Sequence, residues 1–229
     1  ANITTTATAT FSAATGIGLT GAADIDTTIG TLVATNGTSG DIFVQESSGL
    51  IIGGTGVRTL AGNGNIDVRT DAGAFTVSAV VTAHGSGNAT LLATGGLLTV
   101  NAVVSSTTGN LSLTGGAGVT HDAAGDLTTG GVGTISVTAS ANDITMADGT
   151  VYGTGSGNVT LLAATNVILG EITTTSSTVS VTATAGAITE VTTAETANIT
   201  TTATATFSAA TGIGLTGAAD IDTTIGTLV

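Results

Sequence analysis

The chain has 229 residues and a formal net charge of −13, with 15 acidic side chains against two arginines and no lysine. A surface so poor in cations cannot neutralise a phosphate backbone, and an anionic membrane surface should repel it, which argues against nucleic acid and lipid headgroups as partners. Charged residues are 7% of the chain, where about 25% is usual; Pro, Cys and Trp are absent, and aromatic residues are 2%.

Without cysteine there are no disulfides and no thiolate metal sites. Glycine occurs 35 times and threonine 53 times. Threonine, valine and isoleucine are strand formers, so this composition points to β-structure and not to disorder. Mean hydropathy is +0.53, yet no apolar run approaches the roughly 18 to 20 residues of a membrane-spanning helix, and no membrane insertion is expected. The sequence starts at Ala1 with neither a basic nor an apolar leader, so if there is a signal peptide it is expected outside this stretch.

The first stretch, residues 1–33, reads ANITTTATATFSAATGIGLTGAADIDTTIGTLV and returns letter for letter at 197–229. Divergent repeats drift; an identical block reads as one unit of a tandem array, 1–196, followed by the start of the next, 197–229. Within it Thr4, Thr6, Thr8 and Thr10 alternate, as do Thr200, Thr202, Thr204 and Thr206. From Gly30 to Gly64 the pattern is irregular, with an extra candidate strand at Gly40-Asp41-Ile42-Phe43-Val44; this reads as one long turn with an inserted loop.

From there a shorter period is plain. A small turn followed by an alternating strand recurs at Gly64-Asn65-Ile66-Asp67-Val68, Gly87-Asn88-Ala89-Thr90-Leu91 and Gly109-Asn110-Leu111-Ser112-Leu113. It continues at Gly133-Thr134-Ile135, Gly157-Asn158-Val159, Ser177-Thr178-Val179 and Ala203-Thr204-Ala205, in steps of 23, 22, 24, 24, 20 and 26 residues. Each step breaks into about three short strands; after Asn158 these are Val159 to Ala163, Asn166 to Leu169 and Glu171 to Thr175. The alternation has period 2, and no 3.6-residue stripe is sustained anywhere. The expected fold is all-β, a parallel β-solenoid or β-helix. It has about three short strands and roughly 20–26 residues per turn, and eight turns per 196-residue unit. Ile, Val, Leu and Ala should stack inside, Thr, Ser, Asn and Asp outside, with Gly and Asn at corners for positive φ or close backbone approach. Right-handed winding is expected from the habit of parallel crossovers.

Phrases such as GNLSLTGGAGVTH (109–121), GNVTLLAATNVILGEITT (157–174) and STVSVTATAGAIT (177–189) resemble the β-helical shafts of filamentous-haemagglutinin-like exoproteins and adhesins, very large bacterial surface or secreted proteins. The resemblance spans nearly the whole chain and is periodic and compositional. It implies a long extracellular or cell-surface shaft and carries over no binding residue.

Candidate chemistry is sparse. β-Helical lyases need acidic clusters beside Arg or Lys, and here Arg58 and Arg69 stand alone, so no enzyme and no catalytic residue is expected. His84 precedes a Gly-Ser-Gly turn, and His121 sits beside Asp122 with no nucleophile in recognisable context; both read as solvated corner residues. Calcium is the one cofactor weighed. Asp24 and Asp26 share a strand face, and Asp122 with Asp126, or Asn142, Asp143 and Asp148, could line corners. The calcium β-roll signature fails, because Gly53-Gly54-Thr55-Gly56-Val57-Arg58 carries Arg where Asp belongs, so no metal or cofactor-binding residue is assigned. Outward acids that keep a shaft soluble are the plainer account. A Thr-x-Thr ladder could bind ice, though the turns do not hold it at one phase. Glycan binding would favour exposed aromatics, and Phe11, Phe43, Phe75 and Tyr152 are few. Asn-x-Ser/Thr triplets at Asn2, Asn36, Asn88, Asn110, Asn158 and Asn198 are candidate glycan acceptors, or chance products of corner Asn and strand Thr. Neither end shows a cap, so the main expected partner is another unit, continuing the coil end to end into a filament.

Overall fold

The computed structural model describes residues 1–191, 196–214 and 220–229. Its strands form one continuous coil in which every pairing is parallel, and among the described residues there is no helix. The regular part is a three-sided prism. Face A stacks Ile66–Thr70, Ala89–Ala93, Leu111–Gly115, Ile135–Ala139, Val159–Ala163 and Val179–Ala183. Face B stacks Phe75–Val77, Leu98–Val100, Val119–His121, Ile144–Met146 and Val167–Leu169. Face C stacks Val81–Ala83, Val104–Ser106, Leu127–Thr129, Val151–Thr154 and Glu171–Thr174. There are about nine turns of about 23 residues, each about 4.8 Å above the last. The solenoid, its three strands per turn and its corner phrases are as the sequence indicates.

The core follows from the alternation. On face A residues 1, 3 and 5 of each strand point in, giving the columns Ile42-Ile66-Ala89-Leu111-Ile135-Val159-Val179 and Val44-Val68-Leu91-Leu113-Val137-Leu161-Val181, all buried. Both columns are aliphatic from end to end, and like side chains stacked turn on turn give the prism a continuous apolar interior. Tyr152 and Phe75 are its largest buried side chains.

One corner is a spine of glycines. Gly64, Gly87, Gly109, Gly133 and Gly157 lie one above another, and a Cβ on Gly109 would fall 2.0 Å from the Gly87 carbonyl oxygen, one on Gly157 1.7 Å from that of Gly133. None of these five has positive φ, so what the corner needs is close approach of backbone to backbone. The last inward residue of face C completes it with a buried hydroxyl. Ser106 donates to the Gly87 carbonyl at 2.7 Å, Thr129 to Gly109 at 2.7 Å and Thr154 to Gly157 at 2.7 Å. On the outer side of the same corner the Oδ1 of Asn65, Asn88 and Asn110 each accept a backbone N–H from the next turn, at 2.9, 2.8 and 2.9 Å.

The irregular region differs from the sequence reading. Ile42–Glu46 pairs in full register with Ile66–Thr70, so it is the face-A strand of a turn of its own and not an insertion within a long one. The extra residues lie earlier, at 18–24. Ile17 bridges to Ile42 while Ile25 pairs with Val44, and the chain between them loops out. Here the turns are flatter: Leu50–Thr59 runs as one long strand that faces B and C later divide, and Ile25–Asn36 as one that starts on face A, with Ile25–Thr27 on Val44–Glu46, and continues over both.

Candidate functional site

The residues singled out by sequence fall in three places. The first is a cleft of about 360 Å³ under the 18–24 loop, lined by Thr20, Asp24, Asp26, Phe43, Gln45, Asp67 and Arg69 among others. It brings Arg69 to the neighbouring pair Asp24 and Asp26, which lies far from it in the sequence. Arg69 donates through Nε to Asp67 at 2.7 Å. That bond and the negative charge of Asp24 raise the guanidinium pKa above its usual value against a smaller desolvation cost. Gln45 donates to both carboxylate oxygens of Asp71, at 2.9 and 3.0 Å. Among the described residues no three His, Asp or Glu side chains converge as a metal-ligand set. Asp126 instead accepts the Val151 N–H at 2.8 Å, and Asp143 accepts from the Thr165 hydroxyl and the Asn166 backbone and side chain. Partial burial opposes ionisation of Asp143, but those three bonds outweigh it and its pKa lies below the usual value.

The second place is the outside of face A. Its outward residues form two columns: Thr90, Ser112, Ser136, Thr160, Ser180, Thr206 and, beside it, Leu92, Thr114, Thr138, Leu162, Thr182, Ser208. The hydroxyls are about 4.8 Å apart along the axis and two residues apart along each strand. The first column carries a hydroxyl on every turn, but Leu92 and Leu162 interrupt the second and no turn has Thr at both positions, so the turns do not hold a Thr-x-Thr at one phase, as the sequence indicates. The Thr4 to Thr10 row, by contrast, is not flat. The strand breaks register between Thr5 and Thr8, and again at Thr201 and Thr204, so that row bends over a corner. Face B carries a single outward column, Thr76-Thr99-Thr120-Thr145.

The third place is inside. His84 is an exposed corner residue, as expected. His121 is not: it points into the core at 3% exposure, between Val100 and Met146. Its Nδ1 lies 2.7 Å from the Gly125 carbonyl and makes no bond to Asp122. Burial lowers its pKa to about 4, with the Gly125 bond acting the other way. Its ring meets Tyr152 edge-on, with centroids 5.1 Å apart. Neither His121 Nε2 nor the Tyr152 hydroxyl has a hydrogen-bond partner, and burial raises the Tyr152 pKa well above its usual value.

The six acceptor triplets separate cleanly, with Asn2 exposed near the start of the chain. Asn88, Asn110 and Asn158 are exposed on the glycine corner, whereas Asn36 and Asn198 are buried. Asn36 spends its amide on the Ser39 carbonyl at 2.8 Å and on that of Gly40.

No protein-family model, no curated protein and no solved structure matches this chain. The parallel coil is what it shares with β-helical repeat proteins in general.

Proposed function

We propose that the chain is a structural segment of a long extracellular or cell-surface filament built from tandem β-solenoid units. The observation that carries this is the identical block. Residues 1–33 and 197–229 share not only sequence but internal pairing. Ile3 sits over Thr27 as Ile199 sits over Thr223, and Ala9 over Leu32 as Ala205 over Leu228. A coil whose closing turns repeat its opening turns can be continued without any change of structure. Stiffness would come from the backbone ladders along the axis, cohesion from the aliphatic columns, and solubility from the acidic, Thr-rich exterior. The role is non-catalytic and involves no cofactor. The mass of the native polypeptide under full denaturation tests it. A mass of several units supports the filament, and a mass near the 21.6 kDa of this chain counts against a covalent array.

A second reading has an observation of its own. The outward column from Thr90 to Thr206 on face A presents a hydroxyl on each of six successive turns, so the shaft could itself adhere, to ice or to a glycan-bearing surface. Thermal hysteresis in a dilute solution of the chain would support the ice form. Retention on immobilised polysaccharide, lost when Thr114, Thr138 and Thr182 become Lys, would support the glycan form. Failure of both leaves the shaft passive.

A further inference from the structure

The two copies of the block have the same internal pairing, yet they do not sit at the same place on the prism. Ile199 stacks on Ile172 of face C. Its twin Ile3 leads through Thr27 and Glu46 to Thr70, on face A. Ala205 and Phe207 stack on Val179 and Val181 of face A. Their twins lead elsewhere: Ala9 through Leu32 and Ile52 to Val77 on face B, and Phe11 through Ala34 and Val57 to Val81 on face C. Ile213 stacks on Ile188 in the face-B series, while its twin Ile17 leads through Ile42 to Ile66 on face A. Face A of one copy thus runs into the edge between faces B and C of the other, and faces B and C run into face A. The displacement is about half a revolution. The count agrees: an offset of 196 residues at about 23 residues per turn is about eight and a half turns. The eight whole turns per unit are there, with half a turn over.

We infer that successive units of the array are related by an approximate half-turn screw, so that every unit meets the next with its face A on the opposite side of the shaft. This rests on the tandem-array reading. Because the block pairs internally in the same way at both ends, it can be overlaid in one copy and continue both above and below without conflict. Two units then restore the starting azimuth after about seventeen turns. At about 4.8 Å per turn, each unit advances about 41 Å and the true axial repeat is about 80 Å. The hydroxyl columns of face A therefore alternate between opposite sides along the shaft. The change of face takes place in the flattened region, where Leu50–Thr59 opens into faces B and C and Ile25–Asn36 runs from face A across both. The filament has two equivalent sides, and any surface recognised by face A could be held on both at once.

Two measurements test this separately from the array itself. In this chain, the paired substitutions Thr173→Cys with Thr200→Cys and Ser180→Cys with Thr206→Cys join residues that are partners on adjacent turns, at a spacing that disulfides accept. Both should close on mild oxidation. Failure of both, or closure of Gly170→Cys with Thr206→Cys instead, would place the block in phase and overturn the half-turn. In a chain of four consecutive units, Thr138→Cys bearing a gold label should give labels on alternating sides in electron micrographs, with same-side labels about 80 Å apart. Labels on one side at about 41 Å would overturn the screw while leaving the array standing. A native polypeptide of one unit would remove the array while leaving the cross-linking result intact.

Discussion

His121 shows how one side chain couples this coil to pH. Its pKa in the folded chain is about 4, below the 6.5 of an ordinary imidazole, because burial disfavours the imidazolium. A group with a depressed folded pKa binds protons more readily when unfolded, so its stabilising contribution is whole above pH 6.5 and drains away as pH falls towards 4. That shift is worth about 3 kcal/mol across the window. Replacing His121 by Met, the residue stacked on it at position 146, should flatten this dependence. The test is the urea midpoint at pH 7 and pH 4 for both proteins; an unchanged difference between the two pH values would disprove the role of His121. The same residue marks a limit of sequence reading. In Val119-Thr120-His121 the alternation puts the histidine inward, and that signal was in the sequence. Residue type argued the other way, since histidines are less often fully buried than aliphatic residues, and here the Gly125 carbonyl and the Tyr152 ring receive this one.

At the scale of the strand and its corner, glycine is the residue that spacing alone could identify. The phrases that begin with Gly64, Gly87, Gly109, Gly133 and Gly157 all prove to be the entries to face A, because a period-2 strand after a tight corner leaves an unambiguous pattern. The reason for glycine was less legible: the sequence suggests positive φ as readily as close contact, and in the structure it is contact. Gly109→Ala would place a methyl carbon 2.0 Å from the Gly87 carbonyl oxygen. Overpacking of this kind costs about 1–3 kcal/mol, and since the neighbour is backbone it cannot rotate away. Gly21→Ala, which meets nothing within 4 Å but holds positive φ, separates the two effects. Thermal unfolding of both variants should show the larger loss at Gly109. The long strands of the opening block were harder to read. Their partners are set by where the 18–24 loop leaves the coil, and nothing in the composition of 18–24 distinguishes it from a strand corner.

For the whole molecule, stability should be graded along the axis. Turns between Ile66 and Ala183 are paired above and below, whereas Ile3–Ala13 and Thr223–Leu228 pair with a strand on one side only. Solenoid stability is close to a sum over neighbouring turns, so amide hydrogen exchange should be slowest near the middle, on strands such as Leu111–Gly115 and Ile135–Ala139, and fastest at both ends. Uniform protection along the chain would contradict that. The period of the coil was open to inspection in the sequence, but its azimuth was not. Two identical blocks look equivalent until the turns between them are followed column by column, because half a turn leaves no mark on composition.

The inward hydroxyls of the glycine corner also bear on how such a chain is made. Ser106 and Gly87 are 19 residues apart, Thr129 and Gly109 are 20, and the ladder partners of the regular faces are separated by a similar stretch. No described pairing waits for a distant part of the chain. Each new stretch of about 23 residues finds its template in the turn just completed, so loop closure costs the same for the last turn as for an early one. A polypeptide wound in this way can acquire structure at the pace at which its leading end is delivered, whatever its final length. Emergence from a ribosome or a narrow pore would itself set the order of assembly.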